Sequence, residues 1–168
     1  MQEQDTKWTP MKSLGKANRE LLGWGIPDFA PDLSENPNLE FSNLMNTDNR
    51  QLEEFLTMFG SYKAYLETKI ADVDAKSSAY EAAFNESYAK ALWQLVSDYQ
   101  ETGSRKPTKE ELRGAIFTKY PALQELRRDV IDLETLKRKT TGLLNTYTTA
   151  YNTVSRVVAL RTYGGQLT

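Results

Sequence analysis

The stretch RKTTGLLNTYTTAYNTVSRVVALR, residues 138–161, decides the fold. Six of its residues are threonine and two are tyrosine, types that favour strands on intrinsic grounds. Their arrangement says otherwise. Leu133, Leu136, Thr140, Leu143, Tyr147, Ala150, Val154, Val157 and Arg161 alternate steps of three and four without a fault, the spacing of a coiled-coil seam. Period outranks propensity, so the segment is predicted to be a helix. Its weak propensity means that the helix must be held by packing. A second stripe, Leu144, Tyr151 and Val158, flanks the seam and widens the face beyond what one partner helix covers.

The partner lies upstream. Leu52, Phe55, Phe59, Tyr62, Leu66, Ile70, Val73, Ser77, Tyr80, Phe84, Tyr88, Ala91, Leu95 and Tyr99 recur about every 3.6 residues, the period of a straight α-helix. Thr47 or Asp48 can cap its start, and Gly103 with Pro107 stops it. About 50 residues at 1.5 Å each make a rod of roughly 75–80 Å. Thr108 and Glu111 have capping-box spacing and begin a short helix that ends before Pro121, and Pro121 suits the first turn of the last helix. Gly164 and Gly165 end that helix.

Residues 1–45 read differently. They hold four of the six prolines and two of the three tryptophans, and no period is sustained. The expected architecture is all-α: a long antiparallel helical hairpin over residues 46–168, a short helix near its turn, and an irregular N-terminal arm over 1–45. Leu21, Leu22, Trp24 and Phe29 are too apolar for a linker. They either pack on the helices behind them or dock on a neighbouring protein.

Composition narrows the function. No run of 18 apolar residues exists, so no membrane span is expected, and the N-terminus shows no apolar signal segment. With no cysteine there is neither disulfide nor thiolate chemistry, which fits a cytoplasmic location. With no histidine, the commonest general base and zinc ligand is missing. No phosphate-binding glycine loop or nucleophile elbow is present either, so neither an enzyme nor a bound metal or cofactor is expected.

The net charge of -2 hides an asymmetry: residues 1–100 carry -7 and residues 101–168 carry +5. Arg105, Lys106, Lys109, Arg113 and Lys119 gather around the turn and short helix, and Arg127, Arg128, Lys137, Arg138 and Lys139 follow. Trp93 and Tyr99 flank the same turn. Cations neutralise phosphates and aromatic faces stack on unpaired bases, so these residues are candidates for holding single-stranded nucleic acid. The plainer reading pairs the cations with Glu125, Asp129, Asp132 and Glu134 beside them. Two long helices alone bury little, so a homo-oligomer is expected, with Leu133, Leu136, Leu143, Leu144, Tyr147, Tyr151, Val154 and Val158 as its apolar contacts.

The layout resembles the UvsY-type recombination mediators of tailed phages. The likeness runs over roughly residues 50–163: a long helix with MFGSYKAYLETKIADVDAK, a basic turn with KPTKEELRGAIFTKYPALQELRRDVIDLE, and a closing helix ending in SRVVALR. The resemblance implies a non-catalytic oligomer that binds single-stranded DNA. Such a protein helps load a recombinase onto DNA coated by single-strand-binding protein, here in the host cytoplasm if a phage encodes the chain. The competing expectation is a helical scaffold or adaptor of phage or bacterial assembly that binds no nucleic acid.

Overall fold

The structure, a computed structural model, describes residues 10–25, 41–103, 105 and 107–164. Among the described residues five helices follow one another: α1 (Pro10–Gly23), α2 (Phe41–Asn46), α3 (Asn49–Glu101), α4 (Lys109–Lys119) and α5 (Pro121–Gly164). No strand occurs among the described residues. The antiparallel pair α3 and α5 forms the all-α hairpin, and α4 sits at its turn.

The helix ends follow the sequence signals. The Asp48 carboxylate accepts from the Gln51 amide at 2.9 Å and starts α3. Gly103, at φ +62°, takes the left-handed position past its end, where a Cβ would be strained. Thr108 and Glu111 form the reciprocal capping box: the Thr108 amide donates to Glu111 at 2.7 Å, and the Glu111 amide donates to the Thr108 hydroxyl at 3.2 Å.

The core runs between α3 and α5. Leu52, Phe59 and Leu66 meet Tyr147, Ala150, Val154 and Val157 in the first cluster. The deepest positions of α3 in this half, Leu52, Phe59, Leu66 and Val73, are seven residues apart. The straight 3.6 spacing expected from sequence is therefore tightened here into a heptad, because α5 presents a three-and-four seam that only a supercoiled partner follows. The expected stripe position Tyr80 is 42% exposed, past the point where Ser77 takes the buried place. Thr140 lies on the seam with no exposure and donates its hydroxyl to its own helix at Leu136 O, 2.8 Å, so no donor is stranded.

Part of the expected irregular arm is ordered helix. Ser13, Ala17 and Leu21 repeat every four residues along α1 and are buried, and Ala17 and Leu21 pack with Val73 and Leu136. This stripe is short and made largely of small residues, which is why the run of prolines and glycines around it masks the period. Leu22 is 57% exposed, Trp24 is half-buried against the hairpin, and Phe29 lies outside the described residues. In α2, Leu44 is wholly buried in the first cluster. Arg161 closes the free end of the hairpin: it donates to Asn49 Oδ1 at 2.7 Å and to the carbonyls of Leu44, Met45 and Thr47 at the end of α2.

The apolar side chains expected to join subunits mostly pack within the chain. Leu136, Tyr147 and Val154 are buried. Leu143, Leu144, Tyr151 and Val158 are half-buried against the first cluster, and Leu133 against the second. The Tyr151 ring lies against α3 at Gly60, where an added Cβ would meet it at 3.4 Å, an ordinary contact.

Candidate functional site

The turn end of the hairpin holds a third cluster: Ala91 and Leu95 of α3, Ile116 of α4 and Leu123 of α5. Two polar links fix the rotation of α4. Lys119 pairs with Asp98 at 3.0 Å, and the Tyr120 hydroxyl donates to Gln94 at 2.9 Å. With α4 so placed, a row of half-buried aromatic rings crosses from α3 to α4. Phe84 and Tyr88 stack at 5.6 Å between centroids, and Tyr88 meets Phe117 at 6.2 Å. An arginine stands over each end of the row: Arg127 over Phe84 at 5.5 Å and Arg113 over Phe117 at 5.8 Å. Neither arginine pairs with a carboxylate among the described residues. A guanidinium lying on an aromatic face keeps its in-plane donors available for a phosphate.

Of the twelve nucleic-acid candidates, four described cations are engaged within the chain. Lys106 lies outside the described residues. Arg105 pairs with Glu111 at 3.5 Å, and Lys119 is held by Asp98. The Asp98 hydrogen bond raises the Lys119 pKa, followed by that carboxylate's charge. Glu111 is held below its ordinary value, first by the Thr108 amide and then by the Thr108 hydroxyl. It therefore stays an anion beside Arg105. Farther along α5, Lys137 pairs with Asp74 of α3 and Lys139 donates to Asn18 of α1. The two oppositely charged halves of the sequence thus lie side by side in the hairpin and cancel in part. Lys109, Arg113, Arg127, Arg128 and Arg138 have no carboxylate partner among the described residues.

Tyr99 packs in the turn-end cluster, as its position near the turn suggested. Trp93 does not approach α4. It is 73% exposed and sits two residues from each of the buried Ala91 and Leu95, so it points away from the face that α4 and α5 cover. Sequence reading placed Phe84 and Tyr88 in the core stripe and missed them as ring surface. The available signal was their i,i+4 spacing with Arg127 and Arg113 beyond the turn, but only the rotation of α4 joins those pieces.

Among the described residues, no group of three or more histidines, cysteines, aspartates or glutamates is placed to hold a metal ion. No described helix is long and apolar enough to cross a membrane. No protein-family model, no curated protein and no solved structure matches the chain.

Proposed function

We propose that this protein is a non-catalytic, self-associating helical accessory protein of the cytoplasm that binds single-stranded DNA, in the manner of a phage recombination mediator working beside a recombinase and a single-strand-binding protein. The observation that supports this reading most is the row Arg127–Phe84–Tyr88–Phe117–Arg113 at the turn end. It offers ring surface between two cations that carboxylates leave alone. Unpaired bases stack on such rings without regard to sequence, and phosphates meet the cations. Lys109 and Arg128 enlarge the positive region, while Glu110 and Glu111 in the first turn of α4 reduce it. The balance gives moderate affinity per subunit, which repetition in an oligomer raises by avidity.

The test is fluorescence anisotropy of a labelled oligothymidine against the full chain at low salt. Changing Arg113 and Arg127 together to Ala removes two phosphate contacts and reduces the steepness of the salt dependence by about one to two units. Failure of the unmutated protein to bind at low salt would discard the proposal. A second reading, a scaffold or adaptor without nucleic acid, draws on a different observation: Arg105, Lys119 and Lys137 are occupied by acids of the same chain. It expects assembly without any DNA affinity.

A further inference from the structure

We propose that copies of the chain pack side by side, the outer face of α3 in one copy against the outer face of α5 in the next. This deepens the self-association part of the proposed function and rests on that part alone.

Each helix carries an outer ridge of the same form. On α3 the ridge is Glu54, Met58, Ser61, Tyr65, Thr68 and Asp72; on α5 it is Arg138, Gly142, Asn145, Thr149, Asn152 and Arg156. Both follow steps of four, three, four, three and four, and all twelve residues are exposed. Both are uncharged between their ends. The α3 ridge ends in two acids and the α5 ridge in two arginines, each pair eighteen residues, five turns or about 27 Å apart. Acids therefore meet bases when one ridge faces the other.

The register inside the hairpin supplies the second argument. Asn49 lies level with Arg161, to which it is bonded at 2.7 Å, and Asp74 lies level with Lys137, its ion-pair partner. On that register Glu54 lies level with Arg156, and Asp72 with Arg138. These pairs cannot close within one chain, because the ridges face outward from opposite helices. They do close between two copies related by rotation about an axis parallel to the rod, with no slip along it. Two different faces that meet in this way generate a heterologous contact, which closes into a ring when the rotation permits.

The threonines on and beside the ridges suit burial. The Thr149 hydroxyl donates to Asn145 O at 2.9 Å and the Thr68 hydroxyl to Ala64 O at 3.2 Å. Thr57, Thr146 and Thr153 beside the ridges do the same at 2.9, 3.2 and 2.9 Å. These donors are already satisfied within their own helices, so covering them strands no hydrogen bond. Met58 and Tyr65 are 42% and 40% exposed and would be covered. Arg138 and Arg156 have no carboxylate partner among the described residues. Glu54 pairs with Arg50 at 3.2 Å, but both side chains are largely exposed and such a pair exchanges readily. Asp72 itself lines a cleft with Glu20, Trp24, Lys69 and Lys76, and the Lys69 ammonium lies 5.3 Å from the centre of the Tyr65 ring. A nucleic acid does not suit the α3 ridge, which is acidic at both ends. A second copy supplies the complement of each ridge.

Charge exchange tests this without DNA. Sedimentation velocity is run on the unmutated chain, on Arg138→Glu/Arg156→Glu, on Glu54→Arg/Asp72→Arg, on an equal mixture of the two variants, and on the chain carrying all four changes. Each double variant sets like charges against each other at every contact and weakens assembly about tenfold or more. The mixture and the fourfold variant restore opposite charges and recover the assembly. A monomeric unmutated chain, full-size assemblies of both double variants, or no recovery in the mixture would overturn the proposal. Circular dichroism checks that the variants keep their helicity. If a double variant unfolds, Ser61→Cys/Thr149→Cys in this cysteine-free chain decides: oxidation yields a ladder of covalent oligomers if the ridges meet, and only monomer if they do not. Oligonucleotide binding is read in a separate titration, so loss of the interface and loss of DNA binding are distinguishable.

Discussion

Raising the pH above 10 should destabilise this protein through one buried phenol. The Tyr147 side chain is 2% exposed, with its ring 5.0 Å from that of Tyr62 and 6.1 Å from that of Phe59. Burial, and then the neighbouring Tyr62, push its pKa up to about 12 from the ordinary 10.0. In the unfolded chain the phenol ionises near pH 10, while in the folded chain it stays neutral until about pH 12. Between those values the unfolded state holds fewer protons, so stability falls as pH rises. Below pH 10 both states are neutral and the term vanishes. A shift of about two units corresponds to a loss of about 2 kcal/mol by pH 12, a sizeable share of a single domain's stability. The assay is urea unfolding followed by far-ultraviolet circular dichroism at pH 8, 10, 11 and 12, for the unmutated chain and for Tyr147→Phe. The difference between the two isolates Tyr147 from the other tyrosines and the lysines. The unmutated chain should lose about 2 kcal/mol more than the variant across that range. Equal losses in both proteins would show that Tyr147 is not the group responsible.

Leu66, fully buried in the first cluster, should cost about 2–5 kcal/mol when changed to Ala, read as a lower urea midpoint with an unchanged slope. Two glycines should respond in opposite directions. Gly60→Ala should be neutral or stabilising by up to about 1 kcal/mol, since the added carbon meets Tyr151 at an ordinary 3.4 Å and the helix gains propensity. Gly103→Ala should cost about 1 kcal/mol, because its φ of +62° is strained for a side chain although space is open. Thermal melts of the two variants, moving apart from the parent, check both.

The hairpin was legible because periodicity records which side of a helix is wet. Thr140, Tyr147 and Val154 fall on the seam by spacing alone, and all three are buried. Caps were legible for a similar reason: Asp48 and Thr108 act on amides within three residues, so the signal is local. What escaped depends on relations between helices. The helical stripe of α1 rests on Ser13 and Ala17, whose small side chains carry little hydrophobic signal. The Asp74–Lys137 and Asp98–Lys119 pairs join residues far apart in sequence, so neighbouring charges on one helix gave no warning that these cations were engaged. Trp93 looked close to the short helix along the chain but faces the other way around it. The ring row of Phe84, Tyr88 and Phe117 needs the rotation of α4, which Lys119 and Tyr120 set across the gap.

As proposed, this hairpin assembles and carries single-stranded DNA at its turn end. Sedimentation velocity of the unmutated chain at low salt, with a fluorescent oligothymidine followed by its own absorbance, tests both halves in one experiment. The oligonucleotide should move with a protein species heavier than a dimer and be released as salt is raised, since phosphate contacts weaken steeply with salt. An oligonucleotide that sediments free at every protein concentration, or one bound to a protein monomer, would contradict it.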